Sequence, residues 1–318
     1  MRILVTGGAG FIGSAVTDAY LAAGHDVAVV DDLSAGSPEN LDPRVRLHRL
    51  DIRDRDLDAI FADERPEVVS HHAAQVSIRR SIEDPHADAS ANILGSLNVF
   101  EAARRHGARR VIFASTGGAI YRDEQPGVPA DESRPCRPRT PYAVAKCSVE
   151  QYLDYFSATF GLEAISLRYA NVYGPRQDPH GEAGVIAIFL HRVLAGVTPT
   201  IFGDGEQVRD FIYVGDVVSA NRAALEATLA PGENLVVNVS TGVGTTVNTV
   251  WRTIENIARP SVRAYHEPVR SGDVRWSVLD PSRAKHRLGW AASVSLADGL
   301  QRTWAWFATR AGGTAEVV

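Results

Sequence analysis

The chain has 318 residues, 45% of them apolar, which is enough for one large α/β unit or two packed domains around a sizeable core. Its 33 basic and 38 acidic residues leave a formal charge of −5, which argues against a general nucleic-acid binder, although a local arginine cluster could still hold phosphates. The longest purely apolar stretch, Val185-Ile186-Ala187-Ile188-Phe189-Leu190, is far too short to span a bilayer, so no membrane helix is expected.

The first element is a strand, Arg2-Ile3-Leu4-Val5-Thr6. It passes directly into Gly7-Gly8-Ala9-Gly10-Phe11-Ile12-Gly13 and then into a helical pattern with Ile12, Val16, Ala19 and Ala23 on one face. Gly7, Gly10 and Gly13 give the tight turn, the close backbone approach to a pyrophosphate and the close helix–strand packing, while the helix start at Phe11 and Ile12 offers free N–H groups to the anion. A second strand, His25-Asp26-Val27-Ala28-Val29-Val30, ends in Asp31-Asp32. That is about the twenty-residue distance at which a carboxylate meets the adenosine ribose hydroxyls. Two adjacent carboxylates would repel a 2′-phosphate, so the expected cofactor is NAD and not NADP. With the glycine turn arriving by residue 7, no room is left for the apolar core of a signal peptide, and a cytoplasmic location is expected.

Further strands are predicted at 45–50, 68–71, 111–114 and 164–168, with helices at 53–62, 86–106 and 142–160. This alternation predicts an α/β fold with a doubly wound parallel sheet over residues 1–170. From about residue 171 the chain is richer in Pro, Gly and loops, with helices near 184–195, 216–228 and 246–258. It predicts a smaller α/β domain over 171–318, laid over the sheet's carboxyl edge, with chain crossovers back to the first. The last helix opens with the capping signature Ser295-x-x-Asp298 and carries Leu296, Leu300, Trp304 and Phe307 on one face as core; Ala311 to Val318 is predicted to fray. Cys136 and Cys147 form no metal-ligand or redox pattern, and Cys147 reads as a packing residue.

Of the 33 basic residues only two are lysines, and Lys146 stands four residues after Tyr142. On a helix the two share a face. A compact ammonium there can lower a neighbouring phenol's pKa, so that the phenol acts as a general base near neutral pH. Tyr and Lys four apart also occur on ordinary solvated helices, so the pair gains its meaning from the glycine turn and Asp31.

Taken together, these residues resemble the extended short-chain dehydrogenase/reductase family and, within it, the bacterial and archaeal type of UDP-galactose (UDP-glucose) 4-epimerases. The resemblance runs from the glycine turn through His72-Ala73-Ala74-Gln75, Ser115-Thr116-Gly117-Gly118-Ala119-Ile120-Tyr121 and Tyr142-x-x-x-Lys146 to Arg168-Tyr169-Ala170-Asn171-Val172-Tyr173-Gly174-Pro175 and Arg209-Asp210-Phe211-Ile212-Tyr213-Val214-x-Asp216-Val217. It implies a Rossmann sheet with a UDP-sugar-binding domain, Tyr142 as base, and Lys146 holding the nicotinamide ribose. Thr116 or Ser115 would bond the reacting hydroxyl, with Thr116 preferred. It also implies cofactor contacts at Ser34, Asp51, Ile52, Ala73, Ala74, Gln75, Asn92 and Tyr169. Asn171, Arg209 and Arg270 would hold the substrate's diphosphate, Asp273 its ribose, and Thr200 and Phe202 the uracil.

The reaction implied is oxidation of the sugar's C4 hydroxyl to a transient ketone and return of the hydride to the other face, in a homodimer that keeps its NAD. The related dehydratases and decarboxylases carry acidic residues just after the catalytic Ser/Thr, where this chain has Gly117, Gly118 and Ala119. A UDP-glucuronate 4-epimerase is the rival reading, with Arg176 as its candidate cation. NAD-sensing relatives that catalyse nothing typically lose the Tyr-Lys pair, which this chain keeps. Ser277, four residues after Asp273, falls where a bulky Tyr would exclude an N-acetyl group, so the N-acetylated pair of UDP-sugars is expected to enter. Arg122 stands where the family usually has glycine.

Overall fold

Period-two alternation of buried side chains builds the centre of the molecule. Ile3, Val5, Val27 and Val29 fall on one face of a sheet, while Leu4, Ala28 and Val30 fall on the other, in two separate hydrophobic clusters. In the computed structural model, which describes residues 1–121, 127–180, 184–269 and 274–313, these strands form a seven-stranded parallel sheet. Its strands are β1 (Arg2–Thr6), β2 (Asp26–Asp31), β3 (Arg46–Arg49), β4 (Val68–His71), β5 (Arg110–Thr116), β6 (Glu163–Tyr169) and β10 (Asn234–Val239), in the order β10-β6-β5-β4-β1-β2-β3. The chain order reverses beside β1 and β4, which is where a doubly wound sheet opens a crevice at its carboxyl edge.

One face is covered by α1 (Phe11–Ala22) and α9 (Val214–Glu226). The other is covered by α2 (Leu57–Glu64), α5 (Gly95–Arg105) and α7 (Pro141–Phe160), whose Phe61, Phe100, Leu153 and Phe156 join the second cluster. Shorter helices α3 (Ile78–Glu83), α4 (Pro85–Ala89) and α6 (Gly117–Ile120) lie between the strands and these longer ones. The remainder forms a layer of its own: short strands β7 (Asn171–Tyr173), β8 (Thr200–Phe202), β9 (Val208–Tyr213), β11 (Gly244–Thr246), β12 (Tyr265–Glu267) and β13 (Trp276–Ser277), with helices α8 (Val185–Leu194), α10 (Val247–Ala258), α11 (Ser282–Leu288) and α12 (Leu296–Gly313). Phe189, Trp251, Leu300 and Phe307 pack into its separate core, with Leu296 and Trp304 at its margin. No helix among the described residues is long and apolar enough to cross a membrane.

Three expectations need correction. The helix expected from residue 53 starts at Leu57, because Asp51 and Asp54 turn their carboxylates onto the backbone N–H groups of Arg53 and Asp56 and hold the segment in turns. The helix expected over 86–106 is interrupted by a π-helical turn at Ser90–Leu94. The final helix runs on to Gly313, past the Ala311 at which the tail was expected to begin, and residues 314–318 lie outside the described residues. The segment Asn234–Val239, in the second half of the chain, pairs with β6 at the sheet's edge.

Arg110 fastens this crossover. Its guanidinium is 2% exposed, pairs with Glu163, and donates to the carbonyls of Ala224, Leu225 and Ala227 at the end of α9. It satisfies carbonyls that a helix end leaves without partners. Arg110→Met removes that satisfaction and one half of an ion pair. It should cost about 3 kcal/mol in urea unfolding, and a loss below a few tenths of a kcal/mol would contradict this role.

Candidate active site

The local sequence fixes where α7 begins. Thr140 caps it, its hydroxyl accepting from the Ala143 N–H, and Pro141 occupies the first turn with its ring preset for helix. Tyr142 therefore enters half-buried at the mouth of the crevice, and Lys146 follows one turn deeper at 4% exposure. The ammonium donates to the Ala114 carbonyl at 2.8 Å, and lies 4.6 Å from the Phe113 ring centroid and 5.9 Å from that of Tyr142. Burial lowers the Lys146 pKa to about 8 against the opposing charges of Asp88 and Glu150.

The phenol behaves otherwise than the spacing predicts. Burial, and then the charge of Asp88, push the Tyr142 pKa up. The burial that lowers the Lys146 pKa also raises that of Tyr142, because desolvation disfavours the charged form of each.

Strand alternation separates the two hydroxyl candidates. Ser115 turns inward and donates to Glu150 at 2.6 Å, and Glu150 is clamped by Arg168 at 2.5 Å. Thr116 points the other way, half-buried, with its hydroxyl free of hydrogen bonds among the described residues. Beyond it, a Cβ on Gly117 would lie 2.3 Å from the end of the Leu279 side chain, which would have to shift to admit one, while a Cβ on Gly118 would lie 3.8 Å from the Asn171 amide.

The dinucleotide end follows from the glycines. Gly7 has φ +69°, and a Cβ there would lie 2.5 Å from the Ala73 nitrogen; one on Gly13 would lie 2.1 Å from the Gly7 carbonyl oxygen. Gly10 starts the 12-residue α1 with no side-chain cap, which leaves first-turn N–H groups at Phe11 and Ile12 for an anion. Asp31 ends β2 at 7% exposure, accepting from the Ala9 N–H at 2.9 Å and the Leu33 N–H at 2.8 Å. A carboxylate has further lone pairs for ribose hydroxyls. Asp32 accepts from the Ser34 N–H and hydroxyl, and Asp51 holds Arg53. Ile52 is buried against Gly95. A cradle with no space for a Cβ, an uncapped helix start and a carboxylate at the end of β2 fit a pyrophosphate and a ribose.

Three cofactor-side expectations change in kind. Asn92 accepts from the Gln75 N–H at 2.8 Å and donates to the Gln75 carbonyl and Asp88, and the Gln75 amide is bound to Ser77 and Asp88. Through these bonds the two side chains shape the Ala73-Ala74-Gln75 loop. Tyr169 turns its hydroxyl away from the crevice onto the Asn221 amide, so only its backbone faces the carboxyl edge.

The other expected binding residues lie in the second layer. Asn171, Thr200, Phe202 and Arg209 line one cavity of about 500 Å³, together with Arg192 and Gln207, which the sequence reading missed. Asn171 joins this cavity to the Thr116–Tyr121 segment. Ser277 pairs in register with Arg209 and lies beyond the cavity lining. Arg270 and Asp273, and the turn at Arg122, fall outside the described residues.

The family described as NAD dependent epimerase/dehydratase matches residues 3–240. A UDP-glucose 4-epimerase of Mycolicibacterium smegmatis is 44% identical over 309 residues, covering 95% of this chain and 97% of that protein. The crystal structure of the Thermotoga maritima UDP-glucose 4-epimerase with UDP-glucose superposes with a TM-score of 0.94 at 47% identity, covering 98% of this chain and 99% of the other. The UDP-N-acetylglucosamine 4-epimerase of Methanobrevibacter ruminantium, solved with UDP-N-acetylmuramic acid, gives a TM-score of 0.91 at 35% identity, covering 97% and 98%. The glycine cradle, the Tyr142–Lys146 pair on the sheet's carboxyl edge and these likenesses over almost the whole length agree: the chain belongs to the NAD dependent epimerase/dehydratase family.

Proposed function

We propose that the protein interconverts UDP-hexoses at C4 through a transient 4-ketosugar, with UDP-glucose and UDP-galactose as one pair. The observation that carries this reading is the convergence of Tyr142, Lys146 and Thr116 at one edge of the sheet, joined by Asn171 to the Arg209 cavity, with Gly117, Gly118 and Ala119 in the positions where the related dehydratases carry acids. Bound NAD supplies reversible hydride acceptance at the sugar's C4.

The chain's own groups then have defined tasks. Tyr142 takes the C4 hydroxyl proton as the carbonyl forms and returns it as the carbonyl is reduced, so one residue serves both directions. Thr116 hydrogen-bonds the same oxygen and holds it against the phenol. Lys146 stabilises the phenolate electrostatically and offers its remaining protons to the nicotinamide ribose. Asp31 and Asp32 favour the 2′-hydroxyl of NAD over a phosphate. Residues 171–318 mainly hold the UDP-sugar, with Asn171, Arg209 and Arg270 on the diphosphate, Asp273 on its ribose, and Thr200 and Phe202 at the base. Arginine forks suit phosphate oxygens. A glucuronate substrate would need a cation at C6, and its candidate, Arg176, is bound to Asp18 of α1 at 2.8 Å; the neutral hexose is the better fit.

A homodimer fits the exposed apolar side chains Leu94, on the π turn, and Val144, Tyr152 and Tyr155 along one stripe of α7. Light scattering should give twice the chain mass of 34.3 kDa, and a monomer at micromolar concentration rules the interface out.

Incubation with a panel of UDP-sugars, read by NMR, tests the reaction itself, and a panel returned unchanged defeats it. Tyr142→Phe should reduce turnover by about 10² to 10⁴ with NAD still bound; a variant within a few-fold of wild type sinks the assignment of the base. By the resemblance Ser277 stands where a bulky residue would exclude an N-acetyl group, and the Methanobrevibacter relative bears the name UDP-N-acetylglucosamine 4-epimerase. Turnover of the N-acetylated pair is therefore expected, and Ser277→Tyr should abolish it while sparing the plain hexoses. Equal loss on both pairs would place the gate elsewhere.

A further inference from the structure

Asp88 lies on α4, 1% exposed, and no step above uses it. Its Oδ1 accepts from the side-chain amides of Gln75 and Asn92, both at 2.9 Å, while its Oδ2 is buried without a hydrogen-bond partner. Both partners are neutral. A buried carboxylate bonded only to amides keeps an uncompensated charge, which is costly unless a cation lies within range. α4 packs directly on α7, and the cation there is Lys146.

The other charges around Lys146 among the described residues are mostly shared with other partners, Glu150, which also acts on Lys146, included. Glu150, one turn further along α7, is held by Arg168 of β6 and by Ser115 of β5. His71 and His72, at the end of β4, are driven far below their usual pKa by burial and stay neutral. At the far ends of β5 and β6, Arg110 pairs with Glu163. Also packed on α7 are α3, whose Arg79, Arg80 and Glu83 are exposed, and α5, whose Glu101 and Arg104 pair with each other and whose Arg105 pairs with Asp58. On α7 itself, Asp154 is bound by Asn234, and Cys147 faces Cys136.

We propose that Asp88 is a positioning residue for the reaction, its uncompensated carboxylate holding Lys146 protonated and so setting the pH window in which the Tyr142–Lys146 pair works. The inference rests on the reading of that pair as the reacting pair. Its sign can be worked out. Lys146 loses its proton as pH rises through its pKa, which burial lowers to about 8 and Asp88 holds up. Removing the Asp88 charge lets it fall further, and the alkaline limb of activity moves to lower pH. The same charge raises the Tyr142 pKa, so its removal also eases loss of the phenol's proton.

Asp88→Asn separates this from a scaffolding role, because an amide oxygen still accepts from Gln75 and Asn92. If Asp88 only holds those two side chains, the variant keeps the wild-type pH profile. The chain's two lysines permit a direct reading: in NAD-loaded protein labelled with ¹³C-lysine, Lys146 is titrated by NMR with the exposed Lys285 as internal reference. The expected result is a Lys146 midpoint lowered by about one unit in Asp88→Asn, an unmoved Lys285, a kcat/KM profile displaced to lower pH, and recovery in Asp88→Glu. Should the Asn variant fail to load NAD, Asp88→Ser is titrated in its place. An unmoved Lys146 midpoint overturns the inference even if Tyr142→Phe is inactive, whereas an active Tyr142→Phe overturns the assigned base and leaves the Lys146 titration standing.

Discussion

The site depends on one positive charge kept out of water. Lys146 sits almost fully buried at the carboxyl edge of β5, and burying an ammonium is expensive unless the surroundings are arranged for it. Three features arrange them: the Ala114 carbonyl accepts from it, the Phe113 ring presents its face at 4.6 Å, and two carboxylates lie within electrostatic range. The helix that carries the charge is small where it must come close. Ala143, Ala145 and Cys147 are buried around the lysine and let α7 approach the sheet. Tyr142 is placed by the same turn of helix, so its position and its desolvation are both consequences of where the ammonium goes.

A second constraint ties the binding layer to this charge. Arg168 leaves β6 to clamp Glu150 of α7, and its other nitrogen meets the Tyr121 hydroxyl at 2.6 Å, which in turn donates to Asn238 of β10. The network runs from α7, through Tyr121, to the strand that returns from the second half of the chain. Asn171 anchors to the Asp210 carbonyl on β9 and faces Gly118. Asp210 is itself fixed by Thr241 and Gly242. The cavity that would take a nucleotide diphosphate is thus held rigidly against the edge where the sugar would react.

What could be read from the chain was what is local. The glycine turn, Asp31 and the Tyr142–Lys146 spacing each lie within a single strand–turn–helix or a single helical turn, and the physics that places them is equally short-ranged. The return of Asn234–Val239 to the sheet was not legible, because a short apolar run carries no mark of which strand it pairs with. The choice between Ser115 and Thr116 needed the parity of β5, which the strand's pairing sets. Asn92 and Gln75 changed meaning because their partners are each other and Asp88, contacts made across a helical break that the periodicity did not disclose. Nothing in the local sequence sets Asp88 apart from the chain's other carboxylates. Its burial follows from α4 folding against α7, which no local pattern encodes.

The central claim is that the stereocentre at C4 is inverted by oxidation and re-reduction within one closed site, with the proton handled by a single phenol. UDP-glucose carrying deuterium at C4, incubated with the purified protein and no added cofactor, tests it most directly. The account predicts UDP-galactose that keeps the deuterium at C4, read by NMR and mass spectrometry. Loss of the label to solvent, or conversion that requires stoichiometric added NAD, would contradict it.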